Sequence, residues 1–176
     1  MTKLAAAGLV ALTLVSYRSV FTAAWVFEDT ATMSYATRAA TTQTWHIIRD
    51  PLGAHLLSLS LFLLLAALTL VLAQRLGVGV YGMWAIAVLI LLHPINVESV
   101  AYAASRGELL AAIFIVGACI FATYGWWTAA GFGIVVCLSA AVISKESGVV
   151  GLLVVPLVAT RFQRPTWLAW WLFLWR

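Results

Sequence analysis

The sequence predicts an all-α, polytopic membrane protein, and three observations lead there. Of 176 residues, 64% are hydrophobic and 9% are charged, where an ordinary soluble domain carries about 45–50% and about 25%. Mean hydropathy is +1.05, and so apolar a chain has too little polar surface to clothe itself in water. Its apolar runs are parted by short connections such as "AQRLGVG" and "TYGWW". A bilayer core of ~30 Å takes ~20 helical residues, fewer where flanking side chains snorkel. The fold class that follows is about six transmembrane helices plus a short seventh, forming a single transmembrane module over residues 1–176.

The first span is placed near 4–26 and opens on "MTKLAAAGLVALTLV". With Lys3 as its charged end this stretch has the form of a signal peptide, and it is expected to remain as an uncleaved span. Arg18 lies inside it and leaves two placements open. Either its side chain snorkels to the outer interface, or the membrane span ends near Ser16 and the helix projects outward. An outer loop follows at 27–53, rich in Thr, Ser and Ala, with Trp45 suited to the headgroup region. Further spans are placed near 54–74, 78–93, 107–124, 127–143 and 147–161. The seventh run, "TWLAWWLFLWR", holds four Trp in eleven residues and is too short to cross the core alone. Trp167, Trp170, Trp171 and Trp175 share one broad helical face, which suits a partner's surface or, more plainly, a lipid interface.

Charge sets the orientation. Lys3, Arg75, Arg161 and Arg164 fall at one set of span ends, which the positive-inside rule makes cytoplasmic together with the N-terminus. Alternating the spans sends all six acids (Glu28, Asp29, Asp50, Glu98, Glu108 and Glu146) to the extracytoplasmic or lumenal side. The basic residues are scattered, so the net charge of +4 is no nucleic-acid footprint. The sequence contains no CxxC, P-loop, GxGxxG or HExxH pattern. Cys119 and Cys137 lie in apolar runs without ligand spacing, so they are read as packing residues, and no metal site is expected.

Three polar clusters stand out. Glu28 and Asp29 leave the first span together; adjacent carboxylates can supply a general base, hold a cation, or simply end a hydrophobic helix in water. "HPINVESVAYAASRGELLAA" places Pro94 at the start of a new helix, with His93 just before it. From there Glu98, Tyr102 and Ser105/Arg106 recur at helical spacing and would line one stripe. Such a stripe can form the pocket wall for an anionic or hydroxylated ligand. A Glu98–Arg106 or Glu108–Arg106 ion pair settling a buried connection explains it equally well. In "VISKESGVV", Lys145 and Glu146 are neighbours that point apart on a helix, so their partners are expected in other outer segments. Gly148 there permits a tight turn or a close helix approach.

"HPINVESVAYAASRGELLAAIFIVGACIFATY" followed by "ISKESGVVGLLVV" resembles the membrane part of the GT-C glycosyltransferases. The likeness is to the transmembrane and tetratricopeptide-repeat O-mannosyltransferases and their bacterial relatives. "WVFEDT" stands where that family has paired acids, and "PLGAHLLSLSLFLLLAALTLVLAQRLG", including His55, is similar to its second span. The resemblance covers Trp25 to about Ala159. It implies sugar transfer from a polyprenyl- or dolichyl-phosphate donor to a hydroxyl acceptor on the outer side. Asp29 is then the first choice for the base and Glu28 the second. His93, Arg106 and Lys145 would hold the donor phosphate, with Glu98, Tyr102, Glu108, Glu146 and His55 as supporting polar groups.

The chain also departs from the family. It has "IRDPLGAH" where an Arg-Pro-Leu-like motif is usual, and Phe62 or a neighbour where a second His is common. No repeats of 34 residues occur, so the chain is similar to the front half of the family's module. Two functions therefore stay open: a lipid-linked sugar transferase whose only implied cofactor is its donor, and a non-catalytic subunit serving as scaffold among other membrane subunits and lipids. The orientation is the first testable outcome. In a Cys-free background with single cysteines, an impermeant reagent applied outside should label position 40 and not position 75, and the reverse pattern would overturn the assignment.

Overall fold

The computed structural model describes residues 3–22, 51–102, 105–124 and 129–162. Among these, helix is the only regular secondary structure. In chain order it comprises α1 (Lys3–Ser16), a 3₁₀ turn (Arg18–Thr22), α2 (Pro51–Arg75), α3 (Val80–Leu92), a 3₁₀ turn (Pro94–Asn96) and α4 (Val97–Ala101). Then follow α5 (Arg106–Ala122), α6 (Ala129–Ser144), a 3₁₀ turn (Glu146–Val150) and α7 (Gly151–Phe162). The Trp-rich run from Thr166 lies outside the described residues.

α2 is long and apolar enough to cross a membrane; its 25 residues reach roughly 37 Å at ~1.5 Å per residue. Helix starts at Pro51, so the loop expected to run to residue 53 ends sooner. Proline tolerates this position because a first-turn N–H has no partner to lose. At the far end Arg75 sits in the last turn, where a cation suits the helix dipole. Gly77 takes φ +80, and the Val78 and Gly77 amides donate to the Ala73 and Gln74 carbonyls at 3.0 and 3.1 Å. That is a Schellman stop, which favours glycine at its left-handed position.

α3 and the segment Pro94–Ala101 together pass the same length and composition test, but they are bent by 49° at the break between them. Pro94 explains the bend. His93 before it is extended, at φ −70 and ψ 127, as pre-proline residues prefer. Proline also supplies no N–H to the Ile90 carbonyl four residues back. The Asn96 amide Nδ2 donates to that carbonyl at 2.8 Å and replaces the lost bond. His93 Nδ1 accepts the Ile95 N–H at 3.2 Å, which caps the new turn.

The first helix is shorter than expected. α1 stops at Ser16 and the chain tightens into the 3₁₀ turn, with Arg18 exposed. The α-helix that one of the two placements of Arg18 would project outward past Ser16 therefore stops there. Thr13 and Ser16 both return their hydroxyls to carbonyls four residues back, at 2.8 and 2.9 Å, which weakens the last turns of a helix.

The chain divides into two compact units, Met1–Leu110 and Ala111–Arg176. In the first, Leu59, Phe62 and Ala66 form one stripe of α2. They join a core with Tyr17, Val20, Leu91, Val100 and Leu109. The Tyr17 and Phe62 rings meet at 5.7 Å, tilted by 47°, an arrangement aromatic quadrupoles favour. On the rest of the α2 surface Leu56, Leu57, Leu64 and Val71 are exposed.

In the second unit small residues let the helices close up. Ala118, Ala122, Ala130 and Ala141 are buried with Ile134 and Val155. Gly117 lies 3.6 Å from the Cys137 sulfur, measured from the place a Cβ would occupy. Small side chains allow backbones to approach and pack by close fit. The closest approach is at Gly148, where a Cβ would collide with the Ala141 carbonyl and the Val142 nitrogen. Val135, Leu138, Val142 and Ile143 of α6 and Leu152 of α7 line an open apolar groove beside it.

Gly148→Ala should therefore destabilise the fold by about 1–3 kcal/mol, the range for overpacking a tight site, because backbone atoms cannot swing away. Gly117→Ala meets only ordinary contact and should be tolerated. Thermal unfolding of the two variants in detergent checks the contrast, and equal melting temperatures would contradict it.

Candidate functional site: a buried polar seam

Thr13, His55 and Ser58 are buried polar residues in this apolar protein, each at most 1% exposed. His55 and Ser58 are three residues apart, so α2 presents both on one side, a turn beyond Leu59 and Phe62. Ser58 Oγ donates to the Ala54 carbonyl at 3.2 Å. The same oxygen accepts a hydrogen bond from Arg106 Nε at 3.1 Å, across 48 residues of sequence.

The placement of Arg106 follows from packing. α5 opens at Arg106, and Leu109 one turn later is buried in the core with Leu59 and Phe62. Seating Leu109 there sets the rotation of α5 and brings the guanidinium, half-buried, to Ser58. A cation in the first turn of a helix opposes the helix dipole. Glu108 in the same turn offsets part of that cost. An anion at this end would be favoured by the guanidinium and by the helix N-terminus together.

The remaining expected site residues are distributed as follows. His93 is exposed, and its Nδ1 is engaged by the turn, so a neutral ring carries its proton on Nε2. Glu98 is exposed on α4. Tyr102 is half-buried and extended, at φ −91 and ψ 123, where α4 ends. The helix therefore breaks between Glu98 and Arg106, and the single continuous stripe expected for Glu98, Tyr102 and Ser105/Arg106 does not form. Instead the Ser105 amide donates to the Tyr102 carbonyl at 3.2 Å as the chain turns into α5. Glu108 is exposed. In the second unit Lys145 is half-buried and extended, at φ −160 and ψ 143, between α6 and the following turn, so it does not continue the helix. Glu146 beside it is exposed. Glu28 and Asp29 lie outside the described residues. Among the described residues no group of three or more His, Cys, Asp or Glu side chains could hold a metal ion.

Ser58, Tyr17 and Asn96 escaped the sequence reading. A signal existed for two of them. Ser58 follows His55 at i+3 inside an unbroken apolar run, and Asn96 is the nearest side-chain amide after a helix-breaking proline. Tyr17 gave none, because its burial depends on Phe62 and Val20 meeting around it.

Compared with known proteins, the chain matches no family model, no curated protein and no solved structure. Its function is therefore read from residues and geometry.

The Tyr17 hydroxyl is buried with no hydrogen-bond partner among the described residues. An unsatisfied buried group costs about 1–3 kcal/mol. Tyr17→Phe keeps the ring against Phe62 and removes the oxygen, so it should leave the melting temperature unchanged or raise it. A clear fall would mean that the hydroxyl has a hydrogen-bond partner in the folded protein.

Proposed function

We propose that this chain is a multi-pass membrane protein of the GT-C glycosyltransferase kind, with a cytoplasmic N-terminus and its polar motifs on the extracytoplasmic or lumenal side. Support for the membrane setting comes from the distribution of side chains. Thr13, His55 and Ser58 are buried, while Leu56, Leu64, Leu89, Phe132, Ile143, Leu153 and Leu157 are exposed. In water that arrangement would be costly. In lipid it is ordinary, because polar groups there must find partners inside the protein.

The activity proposed is transfer of a sugar from a polyprenyl-phosphate donor to a hydroxyl acceptor. The acceptor oxygen attacks the anomeric carbon as the bond from that carbon to the phosphate oxygen breaks. The polyprenyl phosphate leaves with the electron pair, and Asp29 takes the acceptor proton, with Glu28 as the second choice of base. Arg106 meets the charge that develops on the leaving phosphate. The observation that carries this reading is Arg106 itself, a guanidinium held at the start of the apolar helix α5 by a fully buried serine. Fixed cations aimed at developing phosphate charge stabilise such a transition state. The resemblance gives His93 and Lys145 the same task.

The same hydrogen bond favours a second reading. Because Arg106 ties α5 to α2, the motif residues also pack the module. A non-catalytic scaffold subunit would keep them for that reason alone.

A reconstituted transfer assay separates the readings, run on the purified chain and on the chain with its co-purifying subunits. On the transferase reading Asp29→Asn lowers the rate by about 10²–10⁴, the usual worth of a positioned base, while circular dichroism stays unchanged. Full activity in Asp29→Asn would eliminate the mechanism. Absence of transfer in both preparations would favour the scaffold.

A further inference from the structure

We infer that the segment Pro94–Ala101 is an interfacial anchor, which lies at the lipid surface and inserts Ile95 among the upper acyl chains. This inference rests on the reading of the chain as a membrane protein. Ile95 is 69% exposed, and Val97 beside it is exposed as well. His93, Pro94 and Glu98 around them are exposed too, while Val100 enters the core. One short segment thus presents an isoleucine and a carboxylate three residues apart, on neighbouring positions of a helical turn.

Two constraints decide what covers this surface. The segment continues from α3, on which Val88 and Leu89 are exposed. In a membrane protein such side chains meet lipid, so Ile95 stands where a lipid-facing surface leaves off. Glu98 sets the opposite limit, because an exposed carboxylate is costly in hydrocarbon. Water around Ile95 is unfavourable in its turn. The boundary between headgroups and acyl chains accommodates both groups, as it does for amphipathic surface helices.

The backbone is prepared for that place. Where a chain breaks its helix at the edge of the hydrocarbon, the freed polar groups need partners inside the protein. Asn96 Nδ2 covers the Ile90 carbonyl at 2.8 Å, and His93 Nδ1 takes the Ile95 N–H at 3.2 Å. The 49° bend then inclines the segment away from the axis of α3. From Ile95 to Glu98 the chain advances roughly 5 Å, of which only about 3 Å is gained along α3. Both residues therefore lie near one depth, with Glu98 the further from α3.

Depth-dependent fluorescence quenching is the test, on the full-length chain in phosphatidylcholine vesicles. Leu89→Cys, Ile95→Cys and Glu98→Cys, each in a Cys-free background, carry the same environment-sensitive dye. All three positions are exposed, so the dye displaces no core group. The quenchers are a nitroxide near the top of the lipid acyl chain, a nitroxide near its end, and iodide on both sides of the membrane. The dye at position 95 should lie about 5–10 Å below the headgroups and respond most to the upper nitroxide. At position 89 the balance should shift to the deeper nitroxide, and at position 98 to iodide. If Ile95→Cys fails to reconstitute, Val97→Cys takes its place with the same expectation.

A dye at 95 that escapes both nitroxides, while the dye at 89 is quenched, would mean that protein or water covers the segment. The anchor is then excluded and the membrane reading stands. Equal quenching of 95 and 98 by the deeper nitroxide would make the segment a continued span, which also overturns the inference. If no position responds to either nitroxide, the membrane reading fails and the inference with it.

Discussion

A part-buried backbone carbonyl that loses its helical partner must find another, because an unpaired buried carbonyl is costly. The chain creates this problem at Ile90, whose partner four residues on would be the missing N–H of Pro94. Asn96 resolves it by turning its amide back to that carbonyl at 2.8 Å. With the carbonyl satisfied, the 49° bend at this point becomes affordable. Much of the first unit follows from that bend. It turns the short helix α4 so that Val100 enters the core, and it lets the chain begin a new helix at Arg106. A straight continuation of α3 would carry Val100 and Leu109 past α2.

Small side chains and polar side chains divide the work between the two units. In the first unit the core is a mixture of large groups, with Phe62 against Tyr17 and Leu59 near Leu109, and one guanidinium tied to a serine. In the second, alanines and glycines allow near-contact of backbones, most of all at Gly148 against Ala141. One unit joins its helices through an internal hydrogen bond and large side chains, the other through close fit of small ones.

The bond between Ser58 and Arg106 ties α5 to α2. On the proposed transferase reading the same guanidinium would also have a chemical task, whereas on the scaffold reading the packing role alone remains.

Much of this protein could be read without its structure. Apolar runs bounded by Arg, Gly and Pro gave α2, α3, α5, α6 and α7 within a few residues, because apolar length and helix-stopping chemistry are local properties. His93-Pro94 marked a new helix start for the same reason. Composition alone also pointed to an apolar, helical chain. Other features depended on contacts made far along the sequence. The end of α1 at Ser16, the break after Ala101 and the closeness required at Gly148 come from how particular turns pack. The pairing of Ser58 with Arg106 spans 48 residues and depends on the rotation of two helices about their axes. Leu59, Phe62 and Leu109 set that rotation by seating in one core. Periodicity told which residues share a face of their own helix, while only the packed structure decided which faces meet.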